Sequence, residues 1–223
     1  MSEVEITVRG SHTAFAPPER ATVKLMVALE AGDANSVYSS TVEVANGLRR
    51  SIETLHNPTN GPVTWWSSDQ VQTWASRPWH KEGKRLPLVF HARTSFQVKF
   101  SDFSELSRWV TGAVDLPGAS IGGIEWTLTA AHRDSLTAQV RGAAVANALQ
   151  KAQAYADAIG AGKVRMLAVA DAGMLGEGLH PVNASPATFQ RMASSSGGGG
   201  GDVEFAPQDI SVTAEVDARC ITV

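Results

Sequence analysis

The longest unbroken alternation in the chain runs from Leu88 to Phe100, and it constrains the fold more than any other feature. Leu88, Phe90, Ala92, Thr94, Phe96, Val98 and Phe100 share one parity; Val89, His91, Arg93, Ser95, Gln97 and Lys99 share the other. Successive strand side chains point to opposite sides of a sheet, so this run must bury one face and leave the other polar. A helix would scatter the same apolar positions around its whole circumference. The chain must therefore contain a sheet that is covered on one side and open on the other.

Other segments repeat the pattern. Val4, Ile6 and Val8 alternate with polar residues, as do Ala21, Val23, Leu25, Val27 and Leu29 after the bend that contains Pro17-Pro18. Ile124 to Leu128, Lys163 to Ala170 and Ile210 to Cys220 read as further strands. Residues 63–76 read as one strand, and the polar stretch 77–86 around Glu82-Gly83-Lys84 as the turn that returns it along 88–100 in a long antiparallel hairpin.

Three segments change period. Val37, Thr41, Val44, Leu48, Ile52 and Leu55 recur at steps of three and four behind a capping Asp33 or Asn35. Phe103, Leu106, Trp109 and Val110 follow Ser101 or Asp102 in a shorter helix. The longest helix covers about 131–159, is rich in alanine and ends at Gly160. Its main stripe reads Ala138, Val145, Leu149, Ala152, Ala156 and Ile159, with a second line through Leu136, Val140, Ala144 and Ala148 that offers a surface to a neighbour. The expected fold is α+β: a mixed, largely antiparallel sheet of about seven strands with about three helices packed on it.

A length of 223 residues, 43% of them hydrophobic, can bury one sizeable core. Ser194-Ser195-Ser196 and the glycines 197–201 cannot repay the entropy of ordering, so about 172–208 reads as a flexible insertion within a single domain spanning 1–223. A net charge of −3 and a pI near 6.1 argue against a duplex-binding protein, which needs a concentrated basic surface; the tryptophans and following basic residues could stack on a single strand, but no nucleic-acid partner is expected. No stretch approaches the ~20 apolar residues of a membrane span. Cys220 is alone, so no internal disulfide forms; it reads as a small buried hydrophobe. The alternation begins at Val4 with no charged start and apolar run before it, and the expected location is cytoplasmic.

The candidate functional surface is aromatic. Trp65, Trp66, Trp74 and Trp79 fall close together, followed by Arg77, with Arg93 on the polar face of the returning strand. Adjacent Trp65 and Trp66 must point to opposite faces, so at least one leaves the main core. Tryptophan is enriched where subunits meet, which favours packing or an interface; binding of a small molecule at this hairpin is the second reading. No histidine is spaced with another ligand for a metal, the glycine run lacks the Gly-Lys-Ser/Thr ending of a phosphate loop, and no Gly-x-Ser-x-Gly elbow occurs. No catalytic residue, cofactor or metal is expected, and the chain is read as not an enzyme.

Several segments together carry a family resemblance. Val8-Arg9-Gly10 closes the first strand, Pro17-Pro18-Glu19-Arg20-Ala21 forms the bend, and a helix starts near Ala34. An alanine-rich helix containing Lys151-Ala152 ends in Tyr155-Ala156-Asp157-Ala158-Ile159-Gly160, and a variable polar loop precedes the last alternating strand. Over nearly its whole length the chain resembles the SIMPL-domain family. The resemblance implies an α+β fold and a tendency to homo-oligomerise, sometimes into ring-like or channel-like assemblies, and it brings no catalytic motif. Many bacterial members look exported to the periplasm or cell envelope, and the naming member is a eukaryotic adaptor in kinase signalling; this chain departs from the exported pattern in showing no signal peptide. The resulting expectation is a homo-oligomeric scaffold or interaction module, with itself and an unidentified protein as partners.

Overall fold

A computed structural model of the chain describes residues 3–175 and 205–223. Its elements in order are β1 (Glu5–Ala16), β2 (Arg20–Ala31), α1 (Ala34–Leu55), β3 (Val63–Ser68), β4 (Gln72–Ser76), β5 (Val89–Phe100), α2 (Phe103–Val114), β6 (Ala119–Thr127), α3 (Ala130–Ala158), β7 (Val164–Asp171) and β8 (Ile210–Thr222). The fold is α+β and the named strands pair antiparallel. Where one sheet of about seven strands is expected, the eight strands among the described residues form two sheets. The described residues cluster into two compact units, one within 17–128 plus 205–208 and the other within 3–16, 129–175 and 209–223. Most of the polar segment 172–208, including Ser194 to Gly201, lies outside the described residues.

The five-stranded unit is built on β5. Strand order is β3-β5-β2-β6, with β4 continuing along β5 beyond β3. The parity read from the sequence holds: Ala92, Thr94, Phe96, Val98 and Phe100 are buried, and the intervening side chains lie on the open face. Val23, Leu25 and Val27 of β2 join them, and α1 and α2 cover this face with Leu48, Ile52, Leu106 and Val110. Burying one Leu, Ile or Phe stabilises by roughly 1.5–3 kcal/mol, so this cluster dominates the unit. Asp33 caps α1 by accepting from the Asn35 and Ser36 amides, and Asp102 caps α2 in the same manner. Trp109 sits in the core, and its indole donates to Ser51 Oγ at 3.1 Å. Phe205, just beyond the undescribed segment, meets Trp126 edge-on at 6.0 Å.

The three-stranded unit orders β1-β8-β7 and lays α3 across one face. The helix buries Leu136, Val140, Ala144, Ala148, Ala152 and Ala156. This corrects part of the stripe read from the sequence: its Ala152 and Ala156 are buried, but they continue the line taken as secondary, while Leu149 and Ile159 are exposed. Side-chain size misleads here, because the sheet accepts the helix at a distance that only alanine permits. Gly10 of β1 explains that distance. A Cβ there would stand 2.1 Å from the Ala144 carbonyl oxygen. Helix α3 ends at Gly160, whose φ of 66° suits glycine, with the Ala161 amide donating back to the Ala156 carbonyl.

On the other face of this sheet, Asp217 is almost fully buried. It accepts from Arg9 Nε at 2.7 Å and from the Gly173 amide at 2.6 Å. The Arg9 hydrogen bond holds its carboxyl below the usual range, against the opposing effect of burial. Arg219 Nη2 donates to the Leu175 carbonyl at 3.1 Å, so two residues of β8 pin the turn after β7. Cys220 lies in the core beneath α3, where burial pushes its thiol up.

Candidate functional site

The open face of the five-stranded sheet gathers the unusual side chains. Trp65 pairs with Lys99, and Trp74 with His91, so both tryptophans stand on the face that also carries Arg93, Ser95 and Gln97. They are 45% and 44% exposed, too accessible for core residues of this size. Trp66 takes the opposite face and packs against the core, as adjacent strand residues must. Trp79 is 84% exposed in the segment between β4 and β5 and joins neither partner. Arg77 donates to the Leu86 carbonyl across that segment. Of the six residues singled out from sequence, the structure therefore brings together Trp65, Trp74 and Arg93 on one face and leaves Trp66, Trp79 and Arg77 elsewhere.

Trp65 and Trp74 are each braced by a cation, and Trp74 also by an imidazole. Lys99 Nζ lies 5.5 Å from the Trp65 centroid, and the Arg93 guanidinium 5.4 Å from that of Trp74. Such contacts contribute about 0.5–1 kcal/mol at exposed sites and, more usefully, hold the ring in place. His91 stacks on Trp74 at 5.1 Å and 11°. Its Nε2 lies 2.8 Å from Ser76 Oγ, and its Nδ1 lies 3.6 Å from Glu30 Oε2. Hydroxyl, imidazole and carboxylate in that order would form a nucleophilic triad. Here the carboxylate stands beyond hydrogen-bond distance and is largely solvent-exposed. His91, in contact with Ser76, stacks on the Trp74 ring and restrains it.

The charges on the face are of both signs. Lys24 pairs with Glu125 at 3.2 Å, and Arg93, Lys99 and Glu30 stand nearby on the same or the neighbouring strands. Among the described residues, no group of three or more His, Cys, Asp or Glu side chains is placed to hold a metal ion. No described helix is long and apolar enough to cross a membrane.

Comparison of the sequence with known families settles the membership. Residues 6–220 match the model of the SIMPL family, described as a protein of unknown function (DUF541). The chain belongs to the SIMPL family. No curated protein matches it. In this SIMPL chain the sequence marked the tryptophans and Arg93, and it showed His91 and Lys99 on the polar parity of β5. It gave no sign of Asp69, Gln70 or Gln72, which border the same face and carry no pattern of their own.

Proposed function

We propose that this SIMPL protein is a non-enzymatic interaction module that self-associates through the open face of its five-stranded sheet. One observation carries the reading: two exposed tryptophans, already braced by Lys99 and by Arg93 with His91, stand on a face that carries both cations and carboxylates. A twofold interface presents the same patch from each subunit, so the patch must complement itself, and a face of mixed sign can do so. Pre-braced rings lose less side-chain freedom on binding than free ones. Tryptophan is also the residue most enriched among energetic centres of interfaces. Light scattering after gel filtration, at two protein concentrations, tests this. A discrete assembly that dissociates in the Trp65→Ala, Trp74→Ala double variant is the expected result. A wild-type monomer at micromolar concentration would refute it, as would an assembly that the double substitution leaves unchanged.

A second reading, small-molecule binding, is supported by a different observation. A cleft of about 250 Å³ opens beside Arg93 on the same face.

A further inference from the structure

The cleft exists because the sheet is dislocated there. Pairing of β3 with β5 ends at Ser68 opposite Phe96, and pairing of β4 begins at Gln72 opposite Arg93. Residues 69, 70 and 71 therefore stand against 94 and 95, three against two. An extra residue of this kind interrupts the ladder, and such bulges are over-represented beside functional sites because they re-aim side chains. This one is pinned: the Asp69 amide donates to the Ser95 carbonyl at 2.9 Å, and Thr94 Oγ1 donates to the Asp69 carbonyl at 2.9 Å. The notch left behind is lined by Met26, Asp69, Gln70, Gln72, Arg93 and Ser95, with Thr94 at its base.

Two opposite charges border it, and neither is neutralised by another described residue. Arg93 donates Nε and Nη2 to Gln72 Oε1, at 3.2 and 3.1 Å, and rests over Trp74. The guanidinium is thus fixed in orientation, yet most of its N–H donors have no protein acceptor and it pairs with no carboxylate among the described residues. The Asp69 carboxylate likewise accepts no hydrogen bond and joins no ion pair there.

We infer that this notch binds a small zwitterion, a molecule with a carboxylate and an ammonium group a short distance apart, such as an α-amino acid. The inference rests on the small-molecule reading, and Arg93 belongs both to the notch and to the proposed interface. Arg93 presents its free N–H groups to the carboxylate, a task for which a planar, pre-oriented guanidinium is suited. Asp69 takes the ammonium. Gln70 and Ser95 supply neutral hydrogen bonds, and Met26 gives an adaptable apolar contact for a side chain. Size agrees with this class. At ~30 Å³ per water, the notch has room for about eight waters, below the ~300–1,000 Å³ of pockets for drug-sized ligands. A dianion such as phosphate meets the like charge of Asp69, and a simple carboxylate leaves Asp69 without a partner.

The test is calorimetry and tryptophan fluorescence on the intact chain, titrated to millimolar concentration with the standard amino acids, acetate, propionate, ethylamine and inorganic phosphate. At least one amino acid should bind and perturb the emission of Trp74. Arg93→Gln and Asp69→Asn should each weaken it about tenfold or more without lowering the melting temperature, since both side chains are exposed. Asp69→Asn should also erase the preference for the amino acid over its carboxylate analogue. If phosphate or a simple carboxylate binds as tightly as any amino acid, and Asp69→Asn changes nothing, the zwitterion assignment falls while small-molecule binding stands. If no probe binds, both fall.

Discussion

Gly10 offers the sharpest test of how the three-stranded unit is built. An alanine Cβ at this position would lie 2.1 Å from the Ala144 carbonyl oxygen, 2.6 Å from the Ala148 amide nitrogen and 2.7 Å from the Ala148 Cβ. None of these is the end of a flexible side chain. Carbon and oxygen settle at about 3.3–3.6 Å, so α3 must recede from β1 by roughly 1 Å. Ala144, Ala148, Ala152 and Ala156 are fully buried against Ile6, Val8, Ala218 and Cys220, and all would retreat together. A gap of that size forfeits about a quarter to a half of each contact's attraction. Overpacking typically costs about 1–3 kcal/mol, and the rigidity of this contact places Gly10→Ala near 3 kcal/mol. For a chain of this length that lowers Tm by about 6–12 °C. Gly142→Ala is the control, because a Cβ on Gly142 of the same helix meets nothing within 4 Å. That change should stabilise by about 0.5–1 kcal/mol through helix propensity alone. All six tryptophans lie between residues 65 and 126, outside this unit, so fluorescence is the wrong probe. Urea unfolding followed by circular dichroism, with hydrogen exchange of the α3 amides, reads the effect. A Gly10→Ala protein within about 0.5 kcal/mol of wild type, or one whose α3 amides keep their protection, would show that the contact is looser than the structure describes.

Two further substitutions probe other contacts. Asp217→Asn removes a buried charge that Arg9 and the Gly173 amide both engage, and should cost about 2 kcal/mol at neutral pH in urea unfolding. Because the folded carboxyl is held below its ordinary value, its contribution is complete above the unfolded value of about 3.9 and is lost as pH falls through the folded one. The wild type and the Asp217→Asn variant should therefore converge in stability as pH falls below the ordinary carboxylate range, and a gap that stays constant through the acid transition would contradict the linkage. Phe205→Ala should destabilise the five-stranded unit by about 2 kcal/mol through lost burial and the edge-on contact with Trp126, seen as an earlier fluorescence transition. An unchanged transition would mean that the chain after the undescribed segment is not anchored there.

What was legible in the sequence follows the physics of each element. Strand β5 was readable because water and core impose opposite demands on alternate residues, and no other regular structure satisfies both. The caps Asp33 and Asp102 were readable because few side chains can accept from first-turn amides. Helix α3 was found, with Ala152 and Ala156 correctly on its buried side, but the rest of its main stripe was turned away from the sheet. Its larger side chains, Leu149 and Ile159, drew the apolar stripe toward themselves, whereas the sheet required the smallest residues at steps of four. The signal that decides the matter is Gly10, and it lies far away on β1. Only the pairing of those two elements in space makes it meaningful.

The tryptophan face shows a different limit. Trp65 and Trp74 are nine positions apart (74 − 65 = 9), an odd number, so a continuous strand over 63–76 would send them to opposite sides of the sheet. The structure places both on the open face because residues 69–71 insert one extra residue against β5. A bulge leaves little trace in a polar run such as Ser67-Ser68-Asp69-Gln70, where no apolar parity exists to be broken. Yet this single residue accounts for both features of the site. It shifts the register by one, which brings the second tryptophan round to join the first. It also opens the notch in which Arg93 and Asp69 stand without ion-pair partners among the described residues. The aromatic surface and the charged cleft are thus two consequences of one irregularity.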